Sequence, residues 1–155
     1  MQKIPTPVFA DKLAAMRSVC LEGLGRVSEI FLTDGKRVHD PRRNRALLEA
    51  MARHYAVDLV ALRQHCSQLL YARNYMPIPF SSEMVLVPLA LGQCGERTGY
   101  INLLAVEAVH CHGRGSQVEM TTGAVVDCTL SRASVRNRLL RAQLVLRELE
   151  GKGML

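Results

Sequence analysis

The hydrophobic period of this chain changes near residue 75, and that change constrains its fold more than any other feature. Before it, apolar residues recur at helical spacing. After it they alternate or run together in short segments bounded by turns. The junction is Asn74-Tyr-Met-Pro-Ile-Pro-Phe-Ser-Ser. Pro77 and Pro79 disfavour helix at themselves and at the residues before them, so the connection is extended. The expected class is α+β: N-terminal helices with a small hairpin over 1–75, then an antiparallel β-rich half over 76–155 closed by a C-terminal helix. With 155 residues the chain can bury a core without metals or disulfides, as one compact unit or two very small ones.

In the first half, Val8, Leu13, Met16, Val19, Cys20 and Leu24 approximate helical spacing, which predicts a helix over 8–24. A hairpin follows, turning at Asp34-Gly35. Asp40-Pro41 reads as N-cap and first helical residue of a helix to about Tyr55, and Asp58 as the N-cap of another to about Ala72. The pair reads as a helical hairpin rather than a helix-turn-helix. Its second helix carries only Arg63 and His65 near its start, too few base-reading side chains for a recognition helix.

In the second half, Met84–Leu91 is an apolar run interrupted by Pro88, the mark of an edge or kinked strand. Gly99–Leu103, Val106–His112, Gln117–Thr121 and Ala124–Leu130 read as further strands. Ser131 is the expected N-cap of a final helix over 132–149. Val135, Leu139, Ala142, Leu146 and Leu149 form one apolar stripe, and Leu140 and Leu144 form a second seam. Two seams imply two surfaces: the helix's own domain, and either the N-terminal helices or another subunit.

Chemistry is sparse. The five cysteines, Cys20, Cys66, Cys94, Cys111 and Cys128, are widely spaced, odd in number and lack a CxxC pair. That argues against a disulfide framework or zinc ribbon and for five free thiols in a reducing cytosol. His110-Cys111-His112 lies on a predicted strand, with Cys111 expected to face the core and both histidines water. No GxSxG, P-loop, HExxH or GxGxxG pattern occurs, and acidic residues are scattered singly. The chain is therefore read as a non-enzyme without cofactor or metal. The start has no apolar leader segment, and no stretch is long and apolar enough for a membrane span. A cytoplasmic protein with no membrane partner is expected.

What remains is charge. Twenty Lys and Arg against 14 Asp and Glu give +6, and 16 of the 20 are arginine. Arginine's planar fork suits phosphate and base edges, although arginine-rich codon usage gives the same count. The excess lies in two places. One is the final helix and nearby loops, with Arg132, Arg136, Arg138 and Arg141, Arg114 in a glycine-flanked turn, and Arg97 in a loop. The other is the hairpin–helix junction, with Lys36, Arg37, Arg42, Arg43 and Arg45.

The stretch Met76 to Arg147 adds a resemblance. It contains Met76-Pro-Ile-Pro-Phe-Ser-Ser-Glu-Met-Val-Leu-Val-Pro-Leu, Gly99-Tyr-Ile-Asn-Leu, Val106-Glu-Ala-Val, Gln117-Val-Glu-Met-Thr-Thr-Gly-Ala and Leu130-Ser-Arg-Ala-Ser-Val-Arg-Asn-Arg-Leu-Leu-Arg-Ala. In order and spacing this is similar to the competence transcription factor (ComK) family, and the β-β-β-helix order also resembles LytTR DNA-binding domains. Tyr100 stands where the family has an aromatic before its Ile. Residues 1–75 are outside the likeness. The resemblance implies a transcription regulator that binds A/T-rich double-stranded DNA as a homodimer or higher homo-oligomer, largely through the minor groove and backbone. Arginine suits that groove, where the negative potential is enhanced. On this reading Arg97, Arg114, Arg132, Arg136, Arg138 and Arg141 are the DNA-binding candidates. Lys36, Arg37, Arg42, Arg43 and Arg45 are the alternative footprint, and a protein-interaction module without DNA binding is the competing function.

Overall fold

A computed structural model describes all residues, 1–155, as an α+β fold. A short helix α1 (Thr6–Phe9) leads into β1 (Leu13–Leu21), β2 (Gly25–Leu32) and β3 (Arg37–Asp40). Helices α2 (Asn44–Tyr55) and α3 (Leu59–Leu70) follow. Then come β4 (Ile78–Ser81), β5 (Met84–Leu89) and β6 (Gly99–Asn102), and a single 3-10 turn at Leu103–Ala105. The chain closes with β7 (Val106–His112), β8 (Gly115–Met120), β9 (Val125–Cys128) and α4 (Arg132–Gly151).

Six strands form one antiparallel sheet in the order β3-β2-β1-β6-β5-β4, and β7-β8-β9 form a second. The large sheet crosses the junction near residue 75. Strand β1 from the first half pairs with β6 from the second, Ala15 opposite Ile101 and Met16 opposite Tyr100. Alternate residues serve its two faces. Met16, Ile30 and Leu86 join Leu47 and Met51 of α2 in one core. Ala15, Phe31, Val85, Val87 and Ile101 face the other way, into a core shared with the small sheet and with Val135, Leu139 and Ala142 of α4. Burying each of the larger side chains contributes about 2 kcal/mol.

That double burial corrects the helix expected over 8–24. Leu13 through Val19 are buried without interruption in β1. A strand covered on both faces loses its polar alternation, and the surviving apolar run fits helical spacing by coincidence. The Asp34-Gly35 turn is present, with Gly35 at φ 90°. Asp58 caps α3 by accepting from the Val60 and Ala61 amides at 2.8 and 3.1 Å. Asp40 is not an N-cap. Its buried carboxylate ends β3, accepts from the Ile4 and Arg42 amides at 2.8 Å each, and pairs with the Arg42 guanidinium at 2.9 Å. Helix α2 therefore starts only at Asn44.

In the second half the strands lie close to their expected places, and Ser131 caps α4 through the Ser134 amide at 3.2 Å. The proline-containing connection is itself the edge strand β4. Strand β5 is not an edge strand, since β4 and β6 flank it. Its pairing with β4 begins at Leu86, so Pro88 lies where that side of the strand has no partner, and its missing N–H is tolerated.

The cysteines depart from five free thiols. Cys20 and Cys94 form a disulfide, while Cys66, Cys111 and Cys128 are free. Burial pushes the Cys66 thiol up to about 11. Cys111 is exposed rather than core-facing, because β7 lies at the margin of the small sheet and its last three residues are all open to solvent. No three His, Cys, Asp or Glu side chains gather into a metal-binding group.

Candidate nucleic-acid interface

The largest cavity, about 750 Å³, opens between α2, the start of α3 and the segment 96–100 at β6. Its floor includes Leu48, Leu59 and Tyr100, and its rim carries Arg45, Arg53, Arg63 and Arg97. A second chamber of about 290 Å³ continues past Arg63 and Tyr100 to Arg73 and Tyr75. The carboxylates along the main cleft are all engaged. Glu49 pairs with Arg45 at 3.4 Å, and Asp58 caps α3. Glu96 accepts from Arg26 at 3.2 Å, from the Ser18 hydroxyl at 3.3 Å and from the Asn44 amide at 3.1 Å. The last of these is the true cap of α2, supplied from a loop 52 residues away. Arg53, Arg63, Arg73 and Arg97 are exposed and make no ion pair or side-chain hydrogen bond. The cleft lining therefore carries four arginines against three carboxylates, of which Glu49 and Glu96 are ion-paired and Asp58 is bonded to backbone amides.

Tyr100 is half-buried at the point where the two chambers meet. Burial raises its phenol pKa, the Arg63 cation opposes the shift, and Glu96 adds to it. It stays a neutral hydroxyl at physiological pH, able to donate to an anionic oxygen.

The sequence-predicted arginines separate into two kinds. Arg97 belongs to the cleft. Arg132 donates to the Val109 carbonyl at 3.0 Å, Arg138 to the Pro88 carbonyl at 3.0 Å, and Arg141 to the Asn74 carbonyl at 3.2 Å. Arg138 also stacks over Tyr75, 3.9 Å from the ring centroid. These three tie α4 to β7, β5 and the 74–76 connection. Arg136 is exposed and unpaired, beside Glu107 in a groove between α4 and β7. Arg114 is exposed at the β7–β8 turn, in a separate hollow.

The alternative set is likewise divided. Arg42 is held by Asp40, Arg37 lies over Phe31 at 4.7 Å, and Lys36 approaches Asp34 at the hairpin turn. Arg43 is exposed, and Arg45 reaches the cleft. Arg53, Arg63 and Arg73 were in neither predicted set. They recur about ten residues apart at the end of α2, within α3 and beyond it, so no local density marks them.

No protein-family model matches the chain, and no match was found among curated proteins or among solved structures. No helix is long and apolar enough to cross a membrane.

Proposed function

We propose that this chain is a DNA-binding transcription regulator that grips the phosphate backbone of duplex DNA with the arginines of the cleft. The observation that carries the reading is the convergence of unpaired Arg53, Arg63 and Arg97 on the main cleft, where every carboxylate is already bonded, with unpaired Arg73 in the chamber that shares Arg63 and Tyr100. A cavity of this volume does not enclose a duplex. The rim faces a backbone passing over it, with Tyr100 below as an added donor. Supporting it are the net charge of +6 and the likeness of residues 76–147 to the ComK family. The reading includes a cytoplasmic location, no enzymatic activity and recognition of A/T-rich sites. Arg97 is kept from the sequence-based candidates as a DNA contact, Arg45 stays with Glu49 at the edge of the cleft, and Arg132, Arg138 and Arg141 are reassigned to internal support.

The test is fluorescence anisotropy with A/T-rich and G/C-rich duplexes across a salt series. Four phosphate contacts correspond to a slope of log affinity against log salt of about −3.6. Binding with no salt dependence, or none at low salt, overturns the proposal.

A protein-interaction role is favoured by one separate observation. Leu140 and Leu144 are 58% and 54% exposed on α4, beside a groove of about 470 Å³ lined by Val106, Val109 and Leu139. Homo-oligomer formation through this face is part of the proposal. Leu140→Glu with Leu144→Glu should yield a monomer by sedimentation while leaving the fold intact.

A further inference from the structure

We propose that the Cys20–Cys94 bond is a thiol–disulfide exchange site for a dithiol reductant, and that its redox state controls the loop bearing Arg97. The inference rests on the DNA-binding reading for its consequence, though not for its chemistry.

The loop between β5 and β6 contains Cys94, Gly95, Glu96 and Arg97. It is held to the hairpin by two adjacent attachments. Cys20 and Arg26 face each other across β1 and β2 as a register pair. Cys20 is bonded to Cys94, and Arg26 pairs with Glu96 at 3.2 Å. Between them Gly95, at φ +71°, lies against the Arg26 stem: a Cβ there would come within 2.6 Å of Cδ. One cross-strand pair thus supplies both a covalent and an ionic clamp. Backbone bonds from Gln93 to Ser18 and from Gly92 to Arg97, 2.9 Å each, complete the fastening.

The bond is open to attack. Cys20 is exposed at the end of β1, and Cys94 is half-buried. Free Cys66 and Cys128 are buried, and neither competes for a soluble reductant. A reductant thiolate attacks the Cys20 sulfur, forming a mixed disulfide and releasing Cys94 as a thiolate. The reductant's second thiol then displaces Cys20. Two electrons and two protons pass to the protein, giving two thiols, and the reductant leaves as its own disulfide.

After reduction the remaining side-chain clamps are those on Glu96, which accepts from Arg26, the Ser18 hydroxyl and the Asn44 amide. The reduced loop should therefore loosen, moving Arg97 off the cleft rim and straining the hold of Glu96 on the α2 N-terminus. The oxidised loop should not.

The test uses the full chain carrying Cys111→Ser, which removes the one exposed free thiol. Trypsin scission after Arg97 is followed by mass spectrometry for oxidised and dithiothreitol-reduced protein at about 50 and 500 mM salt. Reduction should raise the cleavage rate about tenfold, with little difference between the two salt concentrations because the Arg26–Glu96 pair is mostly buried. Cys20→Ser should behave as the reduced form under both conditions. Equal rates in all four conditions, or oxidised protein without a linked Cys20–Cys94 peptide, overturn the proposal. A duplex titration run in parallel keeps the two readings apart. Redox-dependent cleavage without DNA binding removes the DNA reading and leaves the exchange site standing. DNA binding with redox-independent cleavage does the reverse.

Discussion

Three arginines of α4 and four in and beside the cleft are chemically identical and face different fates. Arg132, Arg138 and Arg141 come from the densest basic run in the second half, yet each donates to a backbone carbonyl of another element. Arg53, Arg63, Arg73 and Arg97 are dispersed in sequence and have no partner. Charge density along a chain therefore does not report available charge. Availability depends on which unsatisfied acceptors the fold brings within reach of each guanidinium, and carbonyls on an edge strand, near a strand end and in a connection are such acceptors.

The largest test of this contrast reverses charge in the cleft. Arg63→Glu with Arg97→Glu should weaken duplex binding roughly a hundredfold at moderate salt, with the thermal midpoint little changed. Arg138→Ala and Arg141→Ala should leave the affinity of folded protein nearly unaltered. If the α4 variants lose more binding, the contrast is inverted.

Next is Asp40, where an arginine is fully engaged. Burial pushes this carboxyl up, but the Arg42 side chain and the Ile4 and Arg42 amides pull it further down, so it sits below its usual value. A depressed folded value stabilises the protein above the unfolded pKa, and that contribution is lost as the pH falls below about 4. Asp40→Asn should cost about 2 kcal/mol in urea denaturation at neutral pH and flatten the acid limb of stability.

Arg138→Ala removes the Tyr75 stack and leaves the Pro88 carbonyl unbonded. It should destabilise by about 1–2 kcal/mol, read as a lower urea midpoint at unchanged slope. The smallest effect belongs to single cleft residues. Arg53→Ala or Arg73→Ala should each reduce the salt slope by about 1, whereas Arg114→Ala, outside the cleft, should not change it.

Much of the second half was legible because its signals are local. The Ser131 cap and the strands expected at Gln117–Thr121 and Ala124–Leu130 rest on signals that act within a few residues, and they lie close to where the pattern predicts. The first half misleads where local signals are overridden. Leu13–Val19 has helical spacing but is a strand between two cores, and Asp40-Pro41 has the form of a helix start while Asp40 serves Arg42 and Ile4. Of the cleft arginines, Arg97 and Arg45 were among the predicted residues. The others have no Lys or Arg close by in the sequence, so only the fold could assemble them.

The sequence by itself determined the α+β class, the caps of α3 and α4, the turns and the excess of arginine, since each depends on local conformational preference or on composition. Tertiary structure decided the rest. It joined the two halves through β1 and β6, bonded Cys20 to Cys94 and capped α2 with Glu96. It also decided which arginines are occupied and which are free. These are long-range pairings, and no local pattern encodes a partner that chain folding brings from 50 or more residues away.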